Sequence, residues 1–155
     1  QDIERQFVET LLEAVGKKGT IFAHSANSVE IDNLKKLKLK ESCKDLADKI
    51  DKVIERTQDS LIISRMNFYS PLMNGDWGVK SLIKAIPDCP INYQELDNID
   101  GGDGAQLAWF IYTNKKTTEK EKKVQEKNLI EYCAKDTLAL YYLIKFLMEK
   151  SNEQS

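Results

Sequence analysis

The chain has 155 residues, enough for one domain with a sizeable core. Its 41% apolar and 31% charged residues exclude a disordered chain, and no apolar run approaches the roughly 18–20 residues of a membrane span. A formal net charge of −2 argues against nucleic-acid binding by bulk charge, and three scattered cysteines with one histidine argue against a disulfide framework or a zinc site. A cytoplasmic protein is expected.

Ile3, Phe7, Leu11 and Val15 recur at helical spacing, which predicts an amphipathic helix over 2–15 that Gly16 ends. "GTIFAHSA" (19–26) is β-branched and aromatic after a glycine and reads as a short buried strand. Asn27 opens a second helix, "NSVEIDNLKKLKL". A third follows in "CKDLADKIDKVIERTQ", with apolar positions at Leu46, Ile50, Val53 and Ile54. "DSLIISRMNFY" reads as a strand end turning into a helix. The loop "SPLMNGDWG" precedes the helix "VKSLIKAI", which "PDCP" closes. An acidic loop, "DNIDGGDG", leads to the helix "AQLAWFIYT", and the charge run 114–128 leads to a final apolar helix. The pattern is α/β and helix-rich, with one or two strands, few for a complete α/β domain.

In that last helix Leu129, Cys133, Asp136, Leu140, Leu143 and Leu147 form one stripe at spacings of four and three, so an acid stands on the face expected to be buried. Tyr132 lies one turn before Asp136 and projects from the same side. By spacing alone Asp136 reads as a structural acid with a partner at the core edge. Glu30 has two readings: with Asn27 it matches a helix capping box, or it reaches into a cleft after the strand. Asp2 and Glu4 form a D-x-E pair, but at the start of a helix, where Asp2 is a cap and not a metal ligand. "DGGDG" (100–104) is too acidic for phosphate and reads as a capping loop, and Lys115 to Lys127 reads as a solvated face.

Several segments, in order, resemble a bacterial domain-of-unknown-function family of the RNase H-like superfamily, related to the DnaQ-like, DEDD-type 3′–5′ exonucleases. They are "DIERQFVETLLEAVGKKGTIFAHSANSVEIDNL", "DSLIISRMNFYSPLMNGDWGVKSLIKAIPD", "YQELDNIDGGDGAQLAWF" and "LIEYCAKDTLALYYLIKFL". The resemblance implies that Glu30 occupies the acid position of the second exonuclease motif, with Ala26 where that motif usually has Asn. It implies that Tyr132 and Asp136 form the closing Tyr-x-x-x-Asp motif and that Asp59 is a supporting acid. Trp77 and Lys80 fall in the segment that leads into the following helix of these nucleases.

Two-metal phosphodiester cleavage, with ions about 4 Å apart, needs several converging carboxylates, so the resemblance implies Mg²⁺ or Mn²⁺ held by Glu30, Asp136 and Asp59. It implies single-stranded nucleic acid as substrate and Tyr132 orienting the attacking water. The family's first motif, D-x-E on an opening strand, has no counterpart after Gln1. The expectation is therefore the C-terminal part of an RNase H-like fold, one truncated domain over 1–155, which binds metal weakly and does not cleave alone. An exposed sheet edge would then favour self-association, which a monomeric elution profile at high concentration would exclude. The alternative is a non-catalytic interaction module on the same fold, with Glu30 a cap and Asp136 a structural acid.

Overall fold

The computed structural model describes residues 2–93, 99 and 101–153 and is helix-rich. The chain divides into two compact units, Gln1–Tyr69 and Ser70–Ser155.

In the first unit α1 spans Ile3–Val15. The Asp2 carboxylate accepts from the Arg5 amide at 3.0 Å, which satisfies one of the amides a helix start leaves open. Gly16, at φ 58°, ends the helix in the left-handed region that a side chain would strain. The buried stripe differs from the expected one. Val8, Leu11, Leu12 and Val15 face the core, while Ile3 and Phe7 lie exposed, because the i, i+3, i+4, i+7 pattern runs through Val8.

Strand β1 (Ile21–Ala23) is shorter than the segment 19–26 suggests, and β2 is Thr57–Asp59. They pair in parallel, Ile21 with Thr57, Phe22 with Gln58 and Ala23 with Asp59. A parallel pair needs a long crossover. Here α2 (Glu30–Leu37), a short 3₁₀ helix (Glu41–Leu46) and α3 (Ala47–Glu55) supply it. The core gathers Val8, Leu34, Cys43, Leu46, Ile50 and Val53 from α1 and the crossover. Arg56, between α3 and β2, donates to four carbonyls of the α1 end and the next turn: Val15, Gly16, Lys18 (2.7 Å) and Gly19 (2.8 Å). Its own carbonyl accepts from the Ile21 amide at 3.0 Å, so one residue joins the helix end to the sheet. Helix α4 (Ser60–Asn67) follows β2 directly.

In the second unit a 3₁₀ turn (Pro71–Met73) precedes α5 (Val79–Lys84). Asp76 holds the start of α5 by accepting from the Gly78 amide and the Ser81 hydroxyl. Helix α6 (Gly101–Thr113) begins four residues earlier than expected and absorbs the glycines of the acidic loop. Asp97 and Asp100 of that loop lie outside the described residues. The 35-residue α7 (Glu119–Glu153) packs against α5 and α6, and at 1.5 Å per residue is about 52 Å long. Its start is a reciprocal capping box: Thr118 Oγ1 accepts from the Glu121 amide while the Glu121 carboxylate accepts from the Thr118 amide and hydroxyl. No helix among the described residues is long and apolar enough to cross a membrane.

Candidate functional site

The parallel pairing places chemistry at the carboxyl ends of β1 and β2. Asp59 is the last residue of β2 and the cap of α4. One of its oxygens accepts from the Leu61 amide at 3.0 Å and the other from the Asn27 amide at 3.1 Å. Asp59 thereby clamps the β1–α2 loop to the end of the neighbouring strand. Just past the paired residues, His24 Nδ1 lies 2.9 Å from the buried Ser60 hydroxyl, a second tie between the strand ends. The loop turns through Ser25 in the left-handed region (φ 60°), where the Ser25 carbonyl accepts from the Ser28 and Val29 amides.

Glu30 is the first residue of α2. The capping box with Asn27 is not made: the cap position falls on Val29 with no side-chain bond, because the loop's turn carries Asn27 toward Asp59. The Glu30 side chain is exposed and has no hydrogen bond or ion pair among the described residues. Its negative charge suits a helix start, whose free amides are partly positive.

The second unit builds a separate cluster around Asp136. On α7 the buried line runs through Ala139 and Leu143, with Tyr132 and Asp136 half-buried on the same line. Cys133, placed on the buried stripe by the sequence, is exposed, because the line at spacings of four, three and four starts one residue earlier, at Tyr132. Asp136 Oδ1 accepts from the Tyr93 hydroxyl at 2.6 Å, and Lys135 Nζ donates to the neighbouring Asn92 carbonyl at 3.1 Å. Lys80 of α5 stands over both rings, 4.7 Å from the Tyr93 centroid and 5.5 Å from that of Tyr132. A cation over two aromatic faces and two phenols around one carboxylate make a coherent polar cluster.

Burial first, and then the Asp136 carboxylate, raise both phenols: Tyr132 is pushed up to about 12, and Tyr93 is raised further by burial and the short bond to Asp136. Both phenols are therefore neutral donors at physiological pH, not bases. The sign follows from linkage. A phenol that keeps its proton longer in the folded chain contributes stability that is complete below pH 10. For Tyr132 that contribution is lost as pH rises from 10 towards about 12. An ultraviolet titration of the six tyrosines should show two late ones, with Tyr93→Phe removing one of them. Six tyrosines ionising together would contradict this placement.

Glu30 and Asp59 thus belong to the first unit and Tyr132 and Asp136 to the second. Sequence reading missed Tyr93, which lies 43 residues from Asp136 and carries no local signal, and the His24–Ser60 tie, visible only once the strands pair. Within either unit, no three His, Cys, Asp or Glu side chains among the described residues form a group that could hold a metal ion.

A family model, a domain of unknown function (DUF2779), matches residues 1–78, half of the chain. The chain belongs to the DUF2779 family. The DUF2779 match takes in β1, β2, Asp59 and Glu30 and stops short of Tyr93, Tyr132 and Asp136. No curated protein and no solved structure matches the chain.

Proposed function

We propose that this chain belongs to an RNase H-like, metal-dependent 3′–5′ exonuclease-type domain of the Tyr-x-x-x-Asp class, acting on single-stranded nucleic acid. The observation that carries the reading is the parallel pair itself. It sets Asp59 at the last position of β2, and an unpaired, exposed Glu30 opens α2 after the loop that follows β1. Open α/β sheets bind their ligands beyond the carboxyl ends of the strands, and Asp59 stands at such an end. In the second unit Tyr132 and Asp136, one turn apart on α7, have the Tyr-x-x-x-Asp spacing of the closing motif. Asp59 spends part of its capacity on two amides, which suits a supporting acid better than a principal ligand.

Hard oxygen donors suit Mg²⁺ or Mn²⁺. Within either unit, however, the described carboxylates do not amount to a metal centre, so no hydrolytic step is assigned to this chain alone. Its own residues hold positions: Asp59 fixes the loop before Glu30, and Tyr132 keeps its proton and offers a hydrogen bond beside Asp136. Mn²⁺ titration followed by electron paramagnetic resonance should give roughly millimolar binding that Glu30→Gln weakens. Binding indifferent to that substitution would remove Glu30 from the reading.

One observation favours a second reading, a non-catalytic interaction module. Asp136 already accepts from Tyr93, and Lys80 covers both phenol rings, as a purely structural acid would require. In that case Tyr93→Phe lowers stability and leaves Mn²⁺ affinity unchanged, whereas a ligand acid freed of its phenol binds Mn²⁺ more tightly.

A further inference from the structure

Helix α6 ends in six consecutive apolar residues, Leu107 to Tyr112, of which only Ala108 is fully buried. Leu107, Trp109 and Phe110 are 60%, 59% and 68% exposed within about one helical turn. Large apolar side chains grouped in this way mark an interaction surface, in contrast to singly scattered ones. Two features narrow the partner. The exposed group is mainly aromatic, and Trp109 is braced by Tyr112, ring centroids 5.8 Å apart at 34°. Directly beyond the rings comes a basic segment: residues 114–127 hold six lysines against three glutamates in a chain whose overall charge is −2.

Those glutamates are largely engaged. Glu121 is held in the Thr118 capping box and Glu119 pairs with Lys122 at 2.9 Å. Lys115, Lys116 and Lys120 are exposed, and their side chains make no ion pair among the described residues. The turn between the helices is ordered, with Asn114 Oδ1 accepting from the Lys116 amide and the Asn114 carbonyl from the Thr117 amide. Rings for stacking and lysines for phosphate, presented in line on a fixed hairpin, are the two components of sequence-tolerant single-strand binding. A lipid surface asks instead for an apolar stripe with a charged face opposite. Leu107–Tyr112 has no charged residue on any face, and its lysines stand past the helix end.

We propose that the α6–α7 hairpin is a stacking platform for single-stranded nucleic acid. Bases lie on Trp109 and Phe110, and backbone phosphates on Lys115, Lys116 and Lys120. The platform uses none of the acids of the exonuclease reading, so its test is run in chelator, where failure of one leaves the other standing. The full chain is titrated into fluorescein-labelled oligothymidylate and followed by anisotropy. Salt-sensitive binding is expected, weakened roughly ten-fold or more by joint Trp109→Ala and Phe110→Ala substitution. Lys115→Gln with Lys116→Gln should weaken it several-fold at low salt, with the difference shrinking as salt rises. That second pair lies in an exposed turn and decides the matter if the aromatic variant fails to fold. The proposal is overturned if the oligonucleotide does not bind, or if the lysine pair binds as the parent does. It is equally overturned if phosphatidylserine vesicles, or a second copy of the chain, engage Trp109 and Phe110 and oligothymidylate does not compete.

Discussion

Alanine at Leu143 is expected to destabilise the C-terminal unit by about 2–5 kcal/mol, the usual cost of emptying a fully buried leucine site. Leu143 has no exposed surface and lies two turns beyond Asp136 on the same line of α7. That line is the one on which Tyr132 and Asp136 meet Lys80 and Tyr93, so a cavity there loosens the seat of the polar cluster as well. Both tryptophans, Trp77 and Trp109, belong to this unit, so the urea midpoint of tryptophan fluorescence reports on it alone. The same variant should return the late-titrating tyrosines towards ordinary behaviour. An unchanged midpoint would mean that α7 is not packed through Leu143.

The second large effect is expected in the other unit. Arg56→Ala removes one guanidinium from four carbonyls and also takes a positive charge from the C-terminal end of α1. Hydrogen bonds to a charged group contribute more than neutral ones, and a loss of about 2–3 kcal/mol is expected. Lysine at this position restores the charge but not the planar fork, so Arg56→Lys should recover less than half of the loss. The measurement is thermal unfolding by far-ultraviolet circular dichroism. Equal stability of the alanine variant and the parent would show that these carbonyls are as well served by water.

Local signals were legible in the sequence and long-range ones were not. The Asp2 cap, the Gly16 stop and the common face of Tyr132 and Asp136 depend on residues within one or two helical turns. Three-residue strands carry too little pattern to announce their partner, so the pairing of "IFA" with "TQD" emerges only from the fold. The buried lines of α1 and α7 were each misplaced by about one residue. Phe7 and Cys133 satisfy the same spacing as their neighbours Val8 and Tyr132, and spacing alone cannot choose between adjacent lines. The sequence reading passed over the Thr118–Glu121 box within the charge run, although its T-x-x-E spacing marks the start of α7. Glu30 shows the reverse case: Asn27 and Glu30 have the spacing of a box, but Asp59 draws the Asn27 amide away.

The exonuclease reading assigns metal-binding duty to Glu30 and to Asp136. Its most direct test is Mn²⁺-dependent shortening of a 5′-labelled single-stranded oligonucleotide, measured for this chain and for a longer version with a D-x-E strand joined ahead of residue 1. The expected result is no shortening by the chain alone. The longer version should trim from the 3′ end, and Glu30→Gln or Asp136→Asn should each abolish that activity. Robust trimming by the shorter chain, or a longer version that stays inert, would contradict the reading.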